Sequence, residues 1–297
     1  MKESYTYSER FKLRDFPHLF LDTYKAWSKA RPWRLSAVVA YYAVLSLPAL
    51  LVIIINIVGS IWGVDIVQGR LTDEFSSALG PNAAQTIEGI VQDTQNKDKN
   101  LISTIIGIAT LLFGATGVFY QLKVSLNEIW RIKAATGFNF WKLATERAKS
   151  FAFILVIGFL LLISFIVTAA ITALNDYLKS LITEVAVYIA YTVDIFSSIA
   201  IITIMFALMF KFLPDARIKW RAVWIGAFVT AVLFVIGKFL LGLYFGEANP
   251  GSTYGAAGTI VLVLLWVSYS CLILFFGAQF TYVYAKAYNI LFVPYNK

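Results

Sequence analysis

The chain is 297 residues long, 59% hydrophobic and 16% aromatic, with only 14% charged residues and a formal net charge of +8. An ordinary soluble domain carries about 25% charged residues, so too little polar surface is present to coat a water-soluble globule of this length. The apolar content excludes a disordered or collagen-like chain, and a single cysteine, Cys271, excludes a disulfide scaffold.

Residues 1–35 are polar and basic and show no cleavable signal pattern. Within Phe16–Leu35, Phe20, Tyr24 and Trp27 stand at helical spacing among basic residues. That composition suits a helix lying in the membrane interface against anionic lipid headgroups, with a solvated helix as the alternative. Six apolar stretches follow, each close to or longer than the ~20 residues that span a bilayer. They cover about 36–62, 101–120, 151–174, 185–210, 222–245 and 257–285, and a tail follows at 289–297. None alternates as a strand would, and only helices satisfy their own backbone in lipid, so the fold class is all-α, a polytopic membrane helix bundle. Pro48 is a candidate hinge in the long first span, and Gly114 and Gly117 are candidate hinges in the second. The loop 63–100 carries Ile66, Leu71, Phe75 and Leu79 at amphipathic spacing, and Pro81 opens a second short helix through Ile87, Ile90 and Val91. Gly242 and Gly246 form a GxxxG, which permits close helix contact and leaves a homo-oligomer open.

The Lys and Arg residues sort by side. Eight lie before the first span, six in the second loop, four in the fourth loop and two at the C-terminal end, against four (Arg70, Lys97, Lys99, Lys179) on the other side. The positive-inside rule therefore places both termini in the cytoplasm. The basic residues flank spans, as topology requires, so nucleic acid is not an expected partner; membrane lipids are.

Two charges fall inside spans. Asp194 lies about 14 Å from the outer end of its span and Lys238 about 11 Å from the outer end of the next, by helical rise. At similar depth on consecutive antiparallel helices the two could meet. Tyr191, Ser197 and Ser198 share the face of Asp194, and Ala227, Ala231 and Gly242 that of Lys238. A locked ion pair and a polar transport pathway both fit this pattern. Asn56, Gln279 and the Tyr41–Tyr42 pair are further polar positions within spans. No catalytic constellation is present. The single histidine, His18, lacks partners at ligand spacing, so no metal or cofactor is expected. No phosphate-binding glycine loop or nucleophile elbow occurs either, which argues against an ATP-driven pump or a hydrolase.

Several segments in order resemble one family: Ala40-Tyr-Tyr42 with Ser46-Leu-Pro48, Thr116-Gly-Val-Phe119 with Leu126-Asn-Glu-Ile-Trp130, then Leu213-Pro214. Lys238 with Tyr244, Tyr254-Gly255, Leu265-Trp266 and Gly277-Ala278-Gln279 continue the series. Over about residues 20–288 the chain resembles the YihY/virulence factor BrkB family of bacterial inner-membrane proteins. The resemblance implies six spans with both termini inside, and links to envelope lipid or polysaccharide export imply transport. An older ribonuclease label of that family finds no support in these residues. Where the family commonly has Glu in Gly-Ala-Glu, this chain has Gln279, which removes a proton carrier from that position. The function expected is a transporter or flippase-like protein for a lipid-related or small amphiphilic solute. A non-transporting envelope scaffold is the alternative.

Overall fold

Long unbroken runs of apolar residues dictate the architecture. A computed structural model describes residues 15–46, 116–132, 185–248, 258–290 and 292–294, together with Thr145 and single positions between 63 and 89. In chain order these residues form α1 (Phe16–Lys29), α2 (32–46), α3 (116–129), α4 (Val185–Phe212), β1 (Ala216–Ile218), α5 (Trp220–Ala248), α6 (Gly258–Ala287) and β2 (Phe292–Pro294). Within α5 and α6, Trp220–Phe245 and Ile260–Ala287 are long and apolar enough to cross a membrane; Phe196–Phe212 of α4 is a shorter apolar run. The three stretches expected at 185–210, 222–245 and 257–285 thus emerge as α4, α5 and α6. The stretch at 151–174 and most of those at 101–120 and 36–62 lie outside the described residues, as do the helices expected within 63–100 apart from single positions.

Helix α6 is the centre of the described bundle. From Cys271 to Tyr284 nearly every side chain is buried, including Phe275, Ala278, Phe280 and Tyr284. Helix α5 packs along it antiparallel, and α4 packs on α5. The α5–α6 seam is built from small residues. Gly226 of α5 faces Thr281 of α6, and Gly277 of α6 faces Thr230 of α5, so the two form a reciprocal clasp. Each threonine hydroxyl donates to the carbonyl four residues earlier in its own helix, Thr230 to Gly226 at 2.6 Å and Thr281 to Gly277 at 2.9 Å. That bond satisfies the hydroxyl without a partner across the seam. Further along, Gly237 lies against Tyr269 and Ile273. Close approach therefore occurs at these three glycines, whereas a Cβ on Gly242 would meet open space. The GxxxG at Gly242 is not where α5 meets α6, because its face points away from the partner helix.

Helix α1 docks on α6 through an aromatic stripe. Phe16 meets Phe280, and Phe20 and Trp27 both meet Phe276, with ring centroids 4.9–6.1 Å apart. Leu19 and Thr23 of the same face are fully buried, while Leu21 and Tyr24 face outward. One face of the expected interfacial helix is thus held by protein, and Leu21 and Tyr24 on the other side are exposed among the described residues. The strands were not expected. Ala216–Ile218 pairs antiparallel with Phe292–Pro294, fastening the C-terminal tail to the α4–α5 turn. Tyr288 adds a hydrogen bond of 2.9 Å to Asp15, joining the same tail to the start of α1.

Candidate functional site: a basic cavity beside the central helix

The segment Leu126–Trp130 ends α3, and three of its side chains grip three different elements. Asn127 binds Asp215 in the α4–α5 turn twice, its amide donating to the carboxylate and its carbonyl accepting from the Asp215 N–H, both at 2.9 Å. Lys123 approaches the same carboxylate at 3.0 Å. Glu128 pairs with Arg34 of α2. Trp130, almost fully buried, donates its indole N–H across the bundle to the Ala278 carbonyl of α6 at 2.8 Å. The short run therefore fixes the end of α3 against α2, the α4–α5 turn and the middle of the Gly277–Gln279 segment.

The two connections beside this hub carry unusual backbone. Helix α3 closes with the Arg131 N–H on the Glu128 carbonyl and the Ile132 N–H on the Asn127 carbonyl, at 3.0 and 2.8 Å. That pattern is a Schellman motif, which places the residue after the helix in the left-handed region, usually as glycine. Here the residue is Arg131, with φ 54°. Between α1 and α2 the same conformation recurs at Arg31, φ 53°. Its N–H returns to Ser28, its carbonyl accepts from Arg34 and Leu35, and Pro32 follows as the first residue of α2. A non-glycine residue there costs roughly 1–2 kcal/mol. Asn289 is the third such residue, at the end of α6, and asparagine tolerates the region well.

Both left-handed arginines line one cavity of about 300 Å³. Its wall comprises Ala26, Lys29, Ala30, Arg31 and Arg34 from the α1–α2 corner, Glu128, Ile129 and Arg131 from the end of α3, and Gln279 from α6. The charged groups are exposed around the mouth, whereas Gln279 is only 4% exposed and forms the floor. Arg34 is engaged by Glu128. Lys29, Arg31 and Arg131 have no acidic partner among the described residues, and the side-chain amide of Gln279 makes no hydrogen bond with them. Two buried polar atoms, Trp27 Nε1 and Ser125 Oγ, also lack a hydrogen-bond partner among the described residues, and each sits within about one helical turn of a cavity-lining residue. At this same end of the bundle, Tyr24, Trp33, Trp220 and Trp224 are exposed, Trp33 by 70%. Trp220 stacks on Trp224 and carries Lys211 over its ring at 5.4 Å.

The sequence-derived polar positions are distributed differently. Gln279 is at the cavity floor. Lys238 and Ser198 are exposed and Ser197 is half-buried. Tyr191 and Asp194 belong to α4 by backbone, but their side chains lie outside the described residues, as do Asn56, Pro48 and Gly114 entirely. Gly117 is buried within continuous helix from Thr116. Phe206 of α4 and Phe234 of α5 have ring centroids 5.7 Å apart. Asp194 is twelve residues before Phe206 and Lys238 four residues after Phe234; the Asp194 side chain lies outside the described residues, and with it the meeting considered for the two charges. Ala227 and Ala231 are fully buried as expected for a packed face, but from Val235 onward that face is exposed. The residues missed by the sequence reading are Lys29, Arg31, Arg34, Glu128 and Arg131. The dipeptide Arg31-Pro32 was the available signal, since a residue before proline is pushed out of the right-handed helix. Among the described residues no group of His, Cys, Asp and Glu could hold a metal ion.

The sequence profile of the family described as Virulence factor BrkB matches residues 23–293, so the chain belongs to that family. A UPF0761 membrane protein of Mannheimia succiniciproducens is 26% identical over 216 residues, 71% of this chain and 68% of the relative. A UPF0761 membrane protein of Psychromonas ingrahamii is 26% identical over 249 residues, covering 82% and 79%. One of Pseudomonas paraeruginosa is 30% identical over 206 residues, 67% of this chain but 46% of the relative. No solved structure matches the chain.

Proposed function

We propose that this membrane protein of the BrkB family is a bacterial inner-membrane transporter or flippase-like protein. It would handle a lipid-related or small amphiphilic solute without ATP. The observation that carries the proposal is the depth of the cavity. Its floor, Gln279, lies eight residues before the end of a membrane-length helix, about 12 Å along the axis. Polar groups inside a membrane bundle are costly and face its interior or a water-filled cavity, so a polar recess at that depth supports a solute pathway. The positive-inside rule puts the cavity mouth and both termini in the cytoplasm, since 20 of the 25 Lys and Arg residues fall on that side of six spans. The exposed aromatics at the same end suit the headgroup level of a bilayer. The polar seam of Asp194 and Lys238, opened by hinges at Pro48, Gly114 and Gly117, would form the remainder of the path.

A scaffold without transport is the second reading, and the α5–α6 clasp favours it, because glycine and threonine close that seam to atomic contact. Liposome reconstitution separates the two. Purified protein should accelerate translocation of a short-chain fluorescent phospholipid without ATP, and Asp194→Asn should slow it about fivefold, a change of roughly 1 kcal/mol in barrier, with detergent stability unchanged. No acceleration over protein-free liposomes, or loss of folded protein with Asp194→Asn, would favour the scaffold.

A further inference from the structure

We infer that the cavity at the α1–α2 corner is a binding site for a phosphate-bearing anion, held by Arg31, Arg131 and Lys29 over the neutral amide of Gln279. Four observations converge. Three cations surround a space of about 300 Å³ and have no acidic partner among the described residues. That volume equals roughly ten waters at ~30 Å³ each, room for a phosphate group with its hydration. The guanidinium fork matches phosphate oxygens in pairs, which an ammonium cannot do. The buried floor offers an amide N–H₂ donor and no negative charge, and the one carboxylate among the lining residues, Glu128, is paired with Arg34.

The backbone supplies the fourth observation and the sharpest one. Both arginines occupy left-handed positions where glycine costs least, and both face the same cavity. The left-handed residue remote from it, Asn289, is of a type that tolerates the conformation. Strain kept at two positions that converge on one recess is the signature of a ligand clamp. The Glu128–Arg34 pair adds a fixed strut beside the clamp. Because the cations stand at the mouth and Tyr24 and Trp33 are exposed at the same end of the bundle, the phosphate of a lipid headgroup and a free phosphate both have access.

The inference rests on the transport reading only for the purpose of the bound anion, so binding is measured without transport. The full-length chain in neutral detergent at low ionic strength is titrated with inorganic phosphate and, separately, with dihexanoyl phosphatidic acid. The double variant Arg31→Gly/Arg131→Gly removes both forks while placing glycine where the backbone prefers it. Its melting temperature should be preserved or raised, and its affinity should fall about tenfold or more, as expected for loss of paired charge-assisted contacts. Gln279→Glu, which adds a carboxylate to the floor, should also weaken binding, whereas Lys286→Gln, which removes a charge outside the cavity, should not. Binding of phosphatidic acid alone assigns a lipid source, and binding of both probes shows that phosphate itself suffices. Absence of binding to either probe overturns the site, as does equal affinity of the wild type and the double glycine variant. An equal loss in Lys286→Gln would show general charge attraction and overturn it too. If liposome transport fails while this binding holds, the anion site stands and only the transport reading falls.

Discussion

Gly277→Ala adds one methyl group at the tightest point of the α5–α6 seam. An ideal Cβ there falls 2.7 Å from Thr230 Cβ and 2.9 Å from Thr230 Cγ2, against about 3.5–4.0 Å for a comfortable carbon contact. Rotation of the threonine relieves its oxygen and methyl but not its Cβ, which moves only with α5. The helices must therefore separate locally by about 1 Å, which forfeits a quarter to a half of each contact along the seam. Overpacking of this kind costs about 1–3 kcal/mol. The helix propensity gained by replacing glycine, up to about 1 kcal/mol, offsets part of that. The matched control is Gly242→Ala on the exposed face, where a Cβ meets nothing within 4 Å and only the propensity gain applies. Unfolding in mixed micelles should rank Gly242→Ala at or above the wild type and Gly277→Ala below it by up to about 2 kcal/mol, the overpacking cost less the full propensity gain. Equal stability of the two alanine variants would refute the clasp as a steric contact.

Other consequences can be measured in the same preparation. Trp130→Phe keeps most of the buried ring but deletes the bond to the Ala278 carbonyl, so it should cost about 1–2 kcal/mol of unfolding free energy. Asn127→Ala breaks both bonds to Asp215, and proteolysis should then cut the α4–α5 turn several times faster than in the wild type, as about 1 kcal/mol of local protection is lost. Cys271 is buried within α6, so maleimide labelling should be slow in the folded protein and rise sharply on unfolding. Rapid labelling of the native form would contradict the placement of α6 at the centre.

What was legible in the sequence follows from the range of the forces involved. Helices α4, α5 and α6 begin and end within about three residues of the apolar stretches, because each is defined by its own continuous hydrophobicity. Helix α2 starts at 32, four residues before the apolar run, because Pro32 suits a first helical turn and Arg31 cannot continue one. The cavity was not legible. Its wall joins residues 26–34, 128–131 and 279; Arg31-Pro32 announces a helix break but not its left-handed form, and nothing local to Arg131 announces one, since glycine or asparagine is the usual sign. The β1–β2 pairing escaped for the same reason: two three-residue segments 74 residues apart carry no pattern of their own.

The threonine clasp has a consequence for how water and the bundle coexist. Gln279 stands between Gly277 and Thr281, so a recess open to water shares a helical turn with the tightest packing in the described core. Interhelical hydrogen bonds at such a place would compete with every water that entered. The hydroxyls of Thr230 and Thr281 are instead spent on their own helices, so the clasp itself is held by shape, while the side-chain hydrogen bond between Arg221 of α5 and Tyr284 of α6 lies beyond it, at the start of α5. Wetting and drying of the cavity can then proceed without loosening the pair of helices that forms its back wall.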